Sequence, residues 1–105
     1  MVDINLGVRR PLLPHVRSGV KDLEVRVCGD YFNSVRERDT LVFNGEVRRK
    51  VKKIWQHKSF VEALNFHSSE RIAPGFTRGE ILSFLREIYG DKERFGVLVF
   101  ELEKI

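Results

Sequence analysis

Apolar and polar positions alternate along much of the chain, and the period of that alternation marks its elements. In GVKDLEVRV, Leu23, Val25 and Val27 alternate with Asp22, Glu24 and Arg26, which predicts a strand over about Lys21 to Cys28 with one face on a core. The preceding RRPLLPHVRSG predicts a short helix, with Pro11 in a first turn, Leu12, Leu13 and Val16 on one face, and Gly19 as a left-handed stop. Pro14 argues against a long one. GDYFNSVRERD reads as a loop with room for one helical turn. In TLVFNGEVRRKVKKIW, Asn44-Gly45 suits a type I′ turn and sets Thr40–Phe43 antiparallel to Glu46–Trp55. Strict alternation puts Val47, Arg49, Val51 and Lys53 on one face and Arg48, Lys50 and Lys52 on the other. The valines mark the inner face, so Arg49 and Lys53 lie on or beside it, and a buried arginine needs a carboxylate or a cleft.

SFVE and TRGE both read as capping boxes, Ser59 with Glu62 and Thr77 with Glu80. They open a helix from Phe60 to about Phe66 and another over Arg78 to Tyr89, whose Ile81, Leu82, Leu85, Ile88 and Tyr89 share a face before Gly90 ends it. Between them SSERIAPGF reads as a loop turned by Pro74-Gly75. FGVLVFELE predicts a strand over Phe95 to Glu103, with Leu98, Phe100 and Leu102 as its stripe and Val97 and Val99 indicating cover on both faces. The order α-β-β-β-α-α-β cannot be built from βαβ units alone. It predicts a single α+β domain over residues 1–105: a small, mixed, mostly antiparallel sheet curled into a barrel, with helices packed outside.

Composition narrows the class of protein. An apolar fraction of 42% and a charged fraction of 32% belong to a globular chain. No apolar run nears the roughly 20 residues that span a bilayer, and MVDINLGVRR lacks the pattern of a secretory leader. With its single cysteine, Cys28, which reads as a small buried side chain, this predicts a cytoplasmic protein without disulfides. His15, His57 and His67 match no metal-ligand spacing, so neither metal nor cofactor is expected. The net charge of +4 favours polyanions, and it is concentrated: Glu46 to Lys58 holds six basic residues and one acidic one.

Several pieces then occur in order: Gly19, Lys21, Glu24 and Arg26; Asp39 before a strand; Ser59-Phe60; Pro74-Gly75; Ile88-Tyr89; and Gly96. Over about Leu12 to Leu102 this resembles the ASCH domain family, a branch of the PUA-like β-barrels. Asp22 stands where that family usually has threonine, and Arg38 where glycine is common. The resemblance implies a five- or six-stranded barrel with a cleft beside the Lys-Glu-Arg strand and a role in binding RNA or a nucleotide. Some small members resemble hydrolases that deacetylate N(4)-acetylcytidine with a lysine, a threonine and a glutamate. Here Glu24 takes the position of the threonine, which removes the hydroxyl nucleophile, and beyond Glu70 there is no counterpart for the second carboxylate.

Taken alone, Lys21, Glu24 and Arg26 fit a solvated strand face, with an exposed pair worth at most about 1 kcal/mol. In a cleft the same trio suits a nucleotide: Arg26 offers a planar fork of donors, Lys21 a charge, and Glu24 an acceptor. Arg49 and Lys53 on the basic strand read either as a solvated hairpin face or as a phosphate track. Tyr31 is the candidate platform for an unstacked base, with Phe32 and Trp55 behind it, while Trp55 and Tyr89 read first as packing. No catalytic residue is assigned. The binding candidates are Lys21, Glu24, Arg26, Tyr31, Arg49 and Lys53, with a small hydrolase or ribonuclease, or an adaptor for an acidic protein partner, as the other classes.

Overall fold

In a computed structural model, which describes residues 1–105, the hairpin forms as its turn chemistry dictates. Asn44 and Gly45 take φ of 54° and 71° and join β3, Thr40–Phe43, to β4, Val47–His57, with Phe43 opposite Val47. The remaining elements are β1 (Asp3–Leu6), α1 (Leu13–Ser18), β2 (Leu23–Val27), α2 (Asp30–Asn33), α3 (Phe60–Phe66), α4 (Ser69–Ile72), α5 (Arg78–Tyr89) and β5 (Val97–Glu103). Two 3-10 turns, Arg10–Leu12 and Lys92–Phe95, lead into α1 and β5. Gly19 ends α1 at φ 89° as expected, and Thr77 and Glu80 complete a capping box on α5. At α3 the box is half made. Ser59 accepts from the Glu62 amide, but Glu62 accepts from the amide of Lys58 rather than Ser59.

The sheet order is β1-β3-β4-β5-β2, parallel between β1 and β3 and antiparallel elsewhere. β5 sits beside the β4 ladder and is buried on both faces, as Val97 and Val99 indicated. Leu98, Phe100 and Leu102 join Leu41, Phe43 and Val51 in one core, and Val97 and Val99 join Leu23, Val25, Phe60 and Ile81 in a second core under α3, α4 and α5. The sheet is mixed and mostly antiparallel, and it is not closed. β1 and β2 are the two edges. No backbone ladder joins them; side chains bridge the gap, Arg26 Nη2 of β2 donating to the carbonyl of Gly7 just after β1 at 2.7 Å and Tyr31 Oη of α2 to that of Asn5 on β1 at 2.6 Å. A cleft lined by Gly7, Val8 and Arg9 after β1 and by Glu24, Val25 and Arg26 on β2 lies along this gap.

Strict alternation also fails on β4. Val51 faces Leu102 but Lys53 faces Glu101, so Lys52 is the extra residue of a β-bulge. Arg49 stays on the Val47 and Val51 face, whereas Lys53 moves to the opposite one. The pairing of Lys53 with those valines is thereby corrected.

Candidate functional site

The cleft lies between β2, the segment Gly7–Leu12 and α5, and it holds about 190 Å³. Leu12, Ile81, Phe84, Leu85 and Ile88 wall it, and Lys21, Glu24, Arg26 and Tyr89 supply its polar groups. Lys21 and Glu24 are buried, because both faces of β2 are covered here.

The burial of Lys21 follows from α4, a single turn where the sequence suggested a loop. A helix end leaves carbonyls free, and the Ile72 carbonyl accepts from Lys21 Nζ at 2.7 Å. The same nitrogen donates to the Leu23 carbonyl at 2.5 Å and lies 2.9 Å from Glu24 Oε1. Two carbonyl hydrogen bonds and the ion pair with Glu24 fix the ammonium in place, so Lys21 acts as a brace, while Glu24 Oε1 accepts no hydrogen bond. Asp22 fastens the same junction: Arg71 Nε and Nη2 reach its two oxygens at 2.7 and 3.0 Å, and Nη2 also reaches Glu101 at 2.7 Å.

Glu24 Oε2 accepts from Arg26 Nε at 2.7 Å, and Nη2 lies 2.6 Å from the same oxygen. Burial by itself would raise the Glu24 carboxyl, but Lys21 and Arg26 together hold it below its ordinary value. Burial likewise opposes the charge on Arg26, and Glu24 more than offsets it. With Nη2 also committed to Gly7, Arg26 has no carboxylate or carbonyl acceptor on Nη1, and its guanidinium interacts with the Tyr89 side chain. The Tyr89 phenol is pushed up by burial, with Arg26 opposing and Glu24 adding to the rise. Arg26 also stands 5.2 Å over the Phe32 ring. Lys21 and Glu24 are thus supports, and Arg26 and Tyr89 are the groups presented to a ligand. At the rim Arg9 lies 5.0 Å over Phe84 and has no carboxylate partner.

The other candidates stand apart from this trio. Tyr31 is half exposed, with its hydroxyl on Asn5 and its ring edge-on to Phe32 at 5.0 Å. Arg49 meets neither a carboxylate nor the cleft. It donates to the carbonyls of Arg48 and Arg17 at 2.7 Å each, the second in the last turn of α1, and its buried Nε has no partner. Lys53 Nζ lies 4.7 Å over Trp55 on the outer face.

Sequence reading missed the place of Arg9 and Tyr89 in the cleft and the meeting of His57 with His67. Arg9 reaches the cleft because it follows β1, whose signal was the alternation of Ile4 and Leu6 with Asp3 and Asn5, and Tyr89 because it ends α5, which walls the cleft. His57 and His67, ten residues apart, meet with Nε2 atoms 3.0 Å from each other, packed against Trp55 and Phe66. No group of three or more histidine, cysteine or carboxylate side chains is placed to hold a metal ion, and no helix is long and apolar enough to cross a membrane.

No protein-family model matches the chain, and neither does any curated protein. The chain is similar to solved structures, among them those of two proteins. The hypothetical protein PH0355 is 26% identical, with full coverage of both chains and a TM-score of 0.91. Protein PF0455 from Pyrococcus furiosus is 24% identical over 96% of each chain, with a TM-score of 0.80. The fold is therefore one that solved proteins already display. The description of PH0355 as hypothetical assigns it no activity, and the likeness to PF0455 speaks to fold alone.

Proposed function

We propose that the chain is an ASCH-type, PUA-like domain that binds single-stranded RNA or a nucleotide by taking one base into the cleft beside β2. The observation that carries this reading is the pairing of apolar walls with a fixed polar floor. A cavity of about 190 Å³ is smaller than the roughly 300 Å³ of the smallest drug-sized pockets, so it suits one ring system. The walls pack on the faces of the ring, Arg26 Nη1 and Tyr89 meet a polar edge, and Arg9 at the rim is placed for a phosphate.

Two backbone details support the family resemblance. Arg38 holds φ of 76°, a conformation that favours glycine, where the family commonly has glycine. Asp39, the matching acidic residue, is buried and accepts from the amides of Arg36 and Val2 at 2.8 and 3.1 Å, which ties the chain ahead of β1 to the turn before β3. The hydrolase reading has no comparable support, since both oxygens of Glu24 are engaged by Lys21 and Arg26.

Fluorescence anisotropy with a labelled single-stranded RNA tests the proposal. Affinity is expected to fall with salt by about 0.7 log units per phosphate contact for each tenfold rise, and to weaken in Arg9→Ala and Phe84→Ala, neither of which touches the buried trio. Absence of binding at low salt, or indifference to both substitutions, refutes it. Release of acetate from N(4)-acetylcytidine would instead revive the hydrolase.

A further inference from the structure

The bulge at Lys52 reorders the outside of the sheet. Before it the outward positions of β4 are Arg48 and Lys50; after it they are Lys53 and Trp55. Without the extra residue Lys53 would follow Val51 inward. The bulge therefore builds one row of Arg48, Lys50, Lys53 and Trp55 on the face away from the first core, with Lys52 exposed beside it; Lys50 and Trp55 are half-buried, and at Trp55 the row runs onto the edge of the second core.

The lysines of this row are unpaired. Arg48 meets Asp3, but Lys50, Lys52, Lys53 and Lys58 lie within ion-pair distance of no carboxylate. Glu101, which faces Lys53 across the ladder, is held by Arg71 at 2.7 Å. The row ends in an aromatic step. The Phe66 ring is 66% exposed, and its centroid lies 6.3 Å from that of Trp55, which in turn carries Lys53. Phe66 contributes little to the core, because Phe60, Ala63 and Leu64 form the buried face of α3. Arg71 connects this row to the cleft: its neighbour Ile72 lines the cleft, while its guanidinium holds Glu101 opposite Lys53.

We infer that the outer face of β4 is a second contact surface for single-stranded RNA, with phosphates along Lys50 and Lys53 and a base stacked on Phe66 beside Trp55. The inference rests on the proposed reading of the cleft for the identity of the ligand. It adds where the strand runs beyond the inserted base. Charge alone would admit an acidic polypeptide, but an exposed ring at the end of a lysine row matches a base, which has a π face to stack, and not a carboxylate chain. Lys50 to Trp55 spans about 16 Å at roughly 3.3 Å per residue, a length over which an extended strand has several phosphates to offer.

The test compares 5′-mononucleotides with a labelled RNA of about twelve nucleotides, within the usual site sizes of single-strand binders. Phe66→Ala is expected to weaken the RNA by about tenfold, as loss of one stacked base does, and to leave mononucleotide affinity unchanged. Lys50→Gln with Lys53→Gln is expected to reduce the salt slope by about 1.4, the value for two phosphate contacts. RNA binding insensitive to Phe66→Ala and to both lysine changes overturns the second surface, and mononucleotide binding in that case leaves the cleft reading standing. Binding of the RNA that depends on Phe66, with no mononucleotide binding, upholds the surface and removes the cleft. A polyglutamate peptide that displaces the RNA with equal strength from the parent protein and from Phe66→Ala assigns the face to acidic protein and overturns the inference.

Discussion

Two basic regions of this protein handle charge in opposite ways. At β2, Lys21 and Arg26 are withdrawn from water and held by fixed partners: two carbonyl hydrogen bonds and an ion pair with Glu24 for Lys21, Glu24 and the Gly7 carbonyl for Arg26. On β4 Lys52 and Lys53 are exposed and Lys50 half-buried, and none of them forms an ion pair, although Glu103 and Glu101 stand opposite Lys50 and Lys53 across the ladder. The first arrangement depends on geometry, because a buried ion is tolerated only while its partners are in place. The second depends on the solvent and on salt, which screens exposed charge over about 8 Å at physiological ionic strength. A basic residue can thus hold a site in shape or attract a polyanion, and the sequence letter is the same for both.

The contrast breaks most sharply at Glu24. Glu24→Ala leaves an ammonium and a guanidinium buried without their shared carboxylate, and the expected loss is about 3–5 kcal/mol, read from urea unfolding. Replacing the set together, Lys21→Met with Glu24→Leu and Arg26→Leu, is expected to recover most of that loss, since no uncompensated ion remains. A triple variant as unstable as the single one would show that the trio contributes by more than mutual compensation.

Acid sharpens the comparison further. Burial, with His57 and Arg71 adding to it and Glu101 opposing, holds the His67 imidazole below 6.5. The unfolded chain takes up that proton first, so the stability present above about pH 6.5 declines as pH falls. Glu24 is also held below its ordinary value of 4.5, so its share persists to lower pH and is lost only beneath that figure. Unfolding midpoints measured from pH 7.5 to 3 are expected to fall in two windows, with His67→Gln flattening the upper one alone. A single acid transition in the His67→Gln variant and the parent alike would contradict the assignment. The smallest effect belongs to β4: Lys50→Gln and Lys53→Gln are expected to change stability by less than about 0.5 kcal/mol, in the same urea assay, whatever they do to RNA.

What could be seen beforehand follows the same division. The Asn44-Gly45 turn, the Thr77 cap and the two-sided burial of β5 rest on local rules, and each appears where the letters place it. The bulge at Lys52 is decided by which residue of β5 stands opposite, and nothing within KVKKIW marks it. Lys21 reads as surface because its acceptor on Ile72 exists only once SSERI closes a helical turn. The His57 and His67 contact needs α3 to fold back on β4. The cleft is legible as a polar strand and a resemblance, while its apolar wall belongs to α5 and its rim to the segment that follows β1, a strand the periodicity does not single out.

The sheet that stops short of closing also sets how the molecule breathes. β5 is flanked by β4 and β2, whereas β1 and β2 each have one strand neighbour and reach toward one another through Arg26 and Tyr31 alone. Parting that seam breaks two side-chain bonds and no backbone ladder. Amide protons along the facing edges therefore exchange through a local opening, ahead of those in β4 and β5, which wait for global unfolding. The cleft lies along that seam, so on the proposed reading the least protected line in the sheet is also the doorway a base would use.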